Sequence, residues 1–194
     1  MNDTRPDIDI WSSFKQGDKD AFDELFRRYY PMLTLYGSRI CQDKEVLEDN
    51  IHDLFIELWQ SNSTTEVQSV KAYFLKAIKY KLYKHFRKTV PSANSGTVDE
   101  GIGFVVSHDH FIVEQEKQAE TVRSITEAVN RLPNRQKEII YLKIYHSLKY
   151  EEISEVMNIN YQAARNLFSQ SIKNLRGLLG KAGILLIQCY ILTH

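Results

Sequence analysis

Along most of the chain, apolar residues recur at helical rather than strand spacing. Ile10 and Phe14, then Ala21, Phe22, Leu25, Phe26 and Tyr29, step by threes and fours, which gathers side chains on one face of a helix. Gly17-Asp18 divides this stretch into two helices, with Asp20, or else Asp18, placed to cap the second. A longer pattern runs through Val46, Ile51, Leu54, Phe55, Leu58 and Trp59, then stops in the polar run Gln60–Thr65. Residues 71–88 set Tyr73, Phe74, Ala77, Ile78, Leu82 and Phe86 on one side and lysines on the other. Residues 89–103 hold Pro91 and three of the eight glycines, the composition of a connection between domains, running on to about residue 110. Helical patterns resume over Phe111–Arg131, from Asn134 (after Pro133) to about His146, over Tyr150–Met157 and over Tyr161–Leu179. Alternating runs are few, and no hairpin dipeptide lies between β-branched segments. The expectation is an all-α protein of two small helical domains joined by a flexible linker: 1–88, linker 89–110, and 111–194.

The last two helices are close enough to specify their packing. Ile153, Val156 and Met157 form the apolar side of a short helix, and Asn158-Ile159-Asn160 makes a tight turn with Asn160 at the cap position. A second helix offers Ala164, Leu167, Phe168, Ile172 and Leu175 to the interior, and the small Ala163 and Ala164 permit close approach. This is the helix-turn-helix pattern, whose second helix enters the DNA major groove N-terminus first. Its outward residues are Tyr161, Gln162, Arg165, Asn166, Ser169 and Lys173. Arg, Asn and Gln bind base edges through paired hydrogen bonds, while Lys and Ser suit phosphates. A plain helical hairpin is the bland alternative, and it leaves the polar outer face without a use.

Composition narrows the class. With 194 residues, 43% hydrophobic and 26% charged, the chain is a globular protein of one or two small domains. Acids and bases balance at 25 each, but not locally. Residues 1–62 carry 13 acids and 7 bases, whereas 71–88 carry seven bases and no acid. Residues 98–129 are acidic again, and 131–181 carry nine bases against four acids. Two separate basic blocks on helical segments point to nucleic acid. Cys41 and Cys189 are too few and too far apart for a disulfide scaffold or a sulfur-rich metal site, and Cys41 reads as a small core residue. No phosphate loop, dinucleotide fingerprint, HExxH or GxSxG is present, and His108-Asp109-His110 has no third ligand nearby. No catalysis, metal or cofactor is expected. The acidic start lacks a basic-then-apolar leader, and the run Gly183–Ile191 is too short to span a bilayer, so a cytoplasmic protein without membrane insertion is expected.

Two blocks of the sequence resemble a family. One runs from Gly17-Asp18 through Leu25-Phe26-Arg27-Arg28-Tyr29-Tyr30-Pro31 to Leu47-Glu48-Asp49-Asn50-Ile51-His52-Asp53-Leu54-Phe55-Ile56-Glu57-Leu58-Trp59. The other is Leu132-Pro133-Asn134-Arg135-Gln136 with the helix-turn-helix that follows. Their order and spacing are similar to those of the extracytoplasmic-function sigma factors, the smallest members of the sigma-70 type. The resemblance covers about three quarters of the chain and implies a factor that binds core RNA polymerase and promoter DNA, using no cofactor. It implies that Glu48, Asp49, His52, Asp53 and Glu57 meet the polymerase clamp, although His52 stands where the family usually has Gln. It assigns the minus-ten element to the basic helix, where Lys76, Lys79, Tyr80, Tyr83, Lys84 and Arg87 combine cations for the backbone with rings for unstacked bases. Tyr80 and Lys84 depart from the family's usual residues there, which leaves the preferred minus-ten bases open. The helix-turn-helix would read the minus-thirty-five element, and an anti-sigma partner is of the kind the family uses. The alternative is a stand-alone helix-turn-helix regulator, for which the acidic and basic-aromatic helices are superfluous.

Overall fold

The computed structural model describes the backbone of residues 5–61, 66–89, 103–106 and 116–193, with side chains described over 5–61, 66–88, 103–106 and 123–179. The described elements are helical, and they fall into two units, Met1–Asn94 and Ser95–His194.

The first unit contains α1 (Asp7–Lys15), α2 (Lys19–Gly37), α3 (Lys44–Gln60) and α4 (Val70–Thr89). The break between α1 and α2 falls where expected. Gly17 takes φ +87, a conformation that needs no Cβ, and the Asp18 carboxylate accepts from the Asp20 and Ala21 amides at 2.9 and 3.2 Å. Asp43 caps α3 in the same way, accepting from Glu45 and Val46. Leu25, Leu33, Ile51, Leu75, Ile78 and Leu82 are buried between the helices. An aromatic core joins them: Phe74 stacks on Tyr29 at 4.6 Å and packs on Phe55 at 5.2 Å, and Trp11 meets Phe74 edge-on. Asp7 accepts from both Arg28 and the Tyr29 hydroxyl, fixing α1 across α2.

The second unit contains α5 (Glu116–Asn130), α6 (Asn134–Ile140), a π turn (Tyr141–Tyr145), α7 (Tyr150–Met157) and α8 (Tyr161–Thr193). The helix expected over 111–131 begins at Glu116, and residues 111–115 lie outside the described residues. The helix expected to run to His146 instead widens after Ile140, where the His146 amide reaches back five residues to the Tyr141 carbonyl at 3.3 Å. The last helix continues beyond the expected Leu179 to Thr193, since nothing from Gly177 onward breaks the backbone ladder. Leu132, Ile139, Leu142, Leu148, Ile153, Val156, Met157, Ala164 and Leu175 form the core.

Of the stretch expected as linker, residues 90–102 and 107–110 lie outside the described residues. Thr89 is the last residue of α4, and Phe104 and Val106 are buried against the second unit.

Candidate nucleic-acid interface

The turn before α8 fixes which residues face outward. Asn158 adopts the left-handed conformation at φ 51 and ψ 52, which a short polar side chain tolerates and which ends α7. Asn160 then accepts from the Ala163 amide at 2.7 Å, the expected cap. Ala164, Ser171, Ile172 and Leu175 are buried on one side of α8, whereas Leu167 and Phe168, expected inside, are half-buried at its flank. With that azimuth set, Tyr161, Gln162, Arg165, Asn166, Ser169 and Lys173 are all exposed.

These side chains are partly pre-arranged. Gln162 Nε2 donates to Asn166 Oδ1 at 2.9 Å, leaving Gln162 Oε1 as an acceptor beside the Asn166 amide donor. An acceptor and a donor side by side match an adenine edge in the major groove. The Arg165 guanidinium lies over the Tyr161 ring at 5.8 Å, and that ring meets Tyr150 edge-on at 6.0 Å. Burial pushes the Tyr150 phenol up, and the nearby Arg165 charge partly offsets this. Tyr150 was not among the expected site residues. Its position at the start of α7, eleven residues ahead of Tyr161, is the signal that α7 braces the outer helix.

On α4, Lys76, Tyr80, Lys84 and Arg87 are exposed, Tyr80 at 68%, and Tyr83 is half-buried. Lys79 corrects the expectation that the lysines all face outward. It is 6% exposed, its ammonium 5.4 Å from the Tyr83 ring centre, because Ala72, Leu75, Lys79 and Leu82 follow one inward stripe of threes and fours. Tyr73 packs edge-on to Trp11 at 4.9 Å, and burial raises its phenol, as suits a partly buried core ring. Of the polar loop preceding α4, residues 62–65 lie outside the described residues.

On α3, Asp49, His52, Asp53 and Glu57 are exposed and Glu48 is half-exposed. His52 stacks beside Phe26 and Tyr30 of α2 at 6.3 and 5.8 Å. Glu57 accepts from Lys81 Nζ at 2.7 Å, so the acidic helix is tied directly to the basic one. Sequence reasoning missed Ile56, which is 52% exposed in the middle of the acids. It falls three and four residues after Asp53 and His52, spacing that was visible in the sequence.

Among the described residues, no three His, Cys, Asp or Glu side chains gather as a metal site, and His108-Asp109-His110 lies outside them. Cys41 is buried, its thiol donates to the Asp43 carbonyl at 3.3 Å, and burial raises its pKa, which is the behaviour of a core thiol.

Comparison with known proteins gives matches in sequence and in fold. The profile of Sigma-70 region 2 matches residues 25–90, and that of Sigma-70 region 4 matches residues 123–175. Among solved structures, CnrH in complex with the cytosolic domain of CnrY has a TM-score of 0.60 at 14% identity, covering 89% of this chain and 96% of that one. The sigma factor RpoE from Bartonella quintana, crystallised with the anti-sigma factor NepR, has a TM-score of 0.58 at 20% identity, covering 84% of this chain and 98% of that one. At such identities the likeness is one of fold. No curated protein matches the chain.

Proposed function

We infer a division of labour from one premise: the chain belongs to the sigma-70 family, as a two-domain factor of the extracytoplasmic-function type that directs transcription initiation. Its partners are core RNA polymerase and promoter DNA. Within that role, the first unit docks on polymerase through the α3 face of Glu48, Asp49, His52, Asp53 and Glu57, with Ile56 as an apolar anchor among the acids. Exposed apolar groups ringed by charge are the usual centre of a binding patch. The α4 face of Lys76, Tyr80, Tyr83, Lys84 and Arg87 holds the opened minus-ten strand, cations on phosphates and rings on bases. Lys79 contributes through its cation over Tyr83 rather than from the open face. The α8 face reads the minus-thirty-five element.

The observation that carries this reading is the outer face of α8, where all six polar residues are exposed on a helix held by a left-handed turn, a cap and a buried stripe. The factor acts by binding alone, without catalysis of its own. It works in the cytoplasm, in keeping with its polymerase partner; among the described residues no helix is long and apolar enough to cross a membrane. An anti-sigma protein is its regulator, a reading supported by the complex recorded for the structurally similar RpoE. The test is run-off transcription from genomic DNA by purified core polymerase. Adding the protein should produce a discrete set of new transcripts, and a transcript pattern identical to core polymerase alone would refute the assignment.

A further inference from the structure

We propose that Gln162 and Asn166 act as one reader, a joined amide pair that selects a single adenine in the minus-thirty-five element. The proposal deepens the reading of α8 given above and rests on it. Both side chains are exposed on the outer face of α8, four residues apart, and they are already bonded to each other: Gln162 Nε2 donates to Asn166 Oδ1 at 2.9 Å. That bond takes one donor from Gln162 and one acceptor from Asn166. It leaves Gln162 Oε1 as an acceptor and Asn166 Nδ2 as a donor. Turning both amides over makes Asn166 the donor and Gln162 the acceptor, and again leaves one of each. The pair offers the same complement in either orientation.

Of the four bases taken singly, adenine alone answers that complement in the major groove, with N7 to accept and N6–H to donate. Guanine presents two acceptors, N7 and O6, and would set one of them against the acceptor of the pair. Cytosine offers only a donor, and thymine an acceptor beside its methyl group. The bond also favours one base over two. Gln162 and Asn166 start about 6 Å apart along the helix axis, close to two base-pair steps of about 3.4 Å, so unjoined they are within reach of separate bases. Joined, the two amides converge on one spot. The neighbouring cation is held to one side of it, because the Arg165 guanidinium lies over the Tyr161 ring at 5.8 Å. At about 100° per residue, Tyr161 and Arg165 fall on one flank of Gln162 and Asn166 falls on the other. Fixing both amides before DNA arrives lowers the side-chain ordering that binding requires.

The test is selection of minus-thirty-five elements from a randomised pool by holoenzyme carrying the full chain as wild type, Gln162→Ala, Asn166→Ala, the double alanine variant or Gln162→Glu. The wild type should select adenine at one position. Each single alanine variant should lose about tenfold or more of that preference, at that same position. The double variant should lose no more than either single one, since a joined reader fails when either half is removed. Gln162→Glu places two free acceptors at the pair and should move the preference toward cytosine. Both residues are exposed, so every variant should melt with the wild type. Losses at two different positions that add in the double variant would overturn the proposal. So would selection of a guanine–cytosine pair there, whose O6 and N4–H lie side by side across the pair. If none of the four variants alters the selected sequence, the adenine assignment fails; if Arg165→Ala leaves it unaltered as well, the reading of α8 fails with it.

Discussion

Replacing Arg165 or Lys173 by alanine removes one positive charge from the same exposed face of α8, yet the helix geometry gives the two variants different defects. At about 1.5 Å per residue, Arg165 lies about 6 Å from the start of the helix and Lys173 about 18 Å. The major groove is about 8.5 Å deep, so a helix entering by its N-terminus brings Tyr161, Gln162 and Arg165 to base edges and leaves Lys173 at the rim, among phosphates. Lys173 is also rotated by about 80° from Arg165, since eight residues at about 3.6 per turn complete two turns and a fraction. Losing a paired base contact at Arg165 should cost roughly 1–3 kcal/mol on the preferred promoter and flatten discrimination at that base pair. Losing Lys173 should weaken every sequence alike and reduce the salt slope of log K by about 1. The assay is selection of upstream elements from a randomised pool by holoenzyme, at several salt concentrations. If Arg165→Ala selects the same sequence as the wild type, the azimuth assigned to α8 is wrong.

Other variants test the remaining assignments. Asp49→Lys with Asp53→Lys should abolish co-purification with core polymerase at moderate salt while leaving helicity unchanged; retained binding would remove α3 from the interface. Ile56→Ser, which alters an exposed side chain, should weaken core binding roughly tenfold or more if Ile56 is a central anchor, with thermal stability held. Asn160→Ala deletes the α8 cap and should cost about 1 kcal/mol, seen as a fall of roughly 4–8 °C in melting of the second unit. Gly37→Ala places a Cβ 2.3 Å from the buried Leu47 Cδ1, so overpacking of about 1–3 kcal/mol should outweigh the gain of about 1 kcal/mol in helix propensity, and a more stable variant would contradict the packing.

What the sequence revealed was local. The cap Asn160 and the break at Asn158 act on backbone groups within three residues, so residue type and position were sufficient, whereas for α2 the sequence put Asp20 ahead of Asp18, the residue that caps the helix. The outward residues of α8 followed because two apolar stripes on neighbouring helices constrain each other. Lys79 was misplaced because lysines are so frequent in α4 that charge obscured the inward stripe, which tolerates a long apolar stem ending over a ring. The seating of Phe104 and Val106 on the second unit was missed for a different reason. Phe104 and Val106 form too short an alternation to register, and their partners Asn130 and Asn134 lie 24 and 30 residues away in sequence. Residue roles at the polymerase and minus-ten faces came from the family resemblance, since an acidic stripe alone reads equally well as a solvated surface.

The π turn shows how the outer face of α8, proposed to read DNA, depends on residues away from that face. Widening at Tyr141–Tyr145 stacks the Tyr141 and Tyr145 rings at 4.9 Å and directs Lys143 toward α7. Lys143 Nζ donates to the Leu148 carbonyl at 2.8 Å and sits 4.8 Å from the centre of the Tyr150 ring. Tyr150 in turn meets both Tyr161 and Phe168 of α8, so one chain of contacts runs from the π turn to the first turn of the reading helix. At about 100° per residue, a slip of one position in α8 would replace Arg165 by the buried Ala164 on the outer face. The second unit resists that slip from both sides: Ala164, Ile172 and Leu175 fill the core from within, and Tyr150 holds the exposed end. On the proposed reading of α8, specificity at the promoter would rest on packing in the second unit as much as on the side chains that reach the bases.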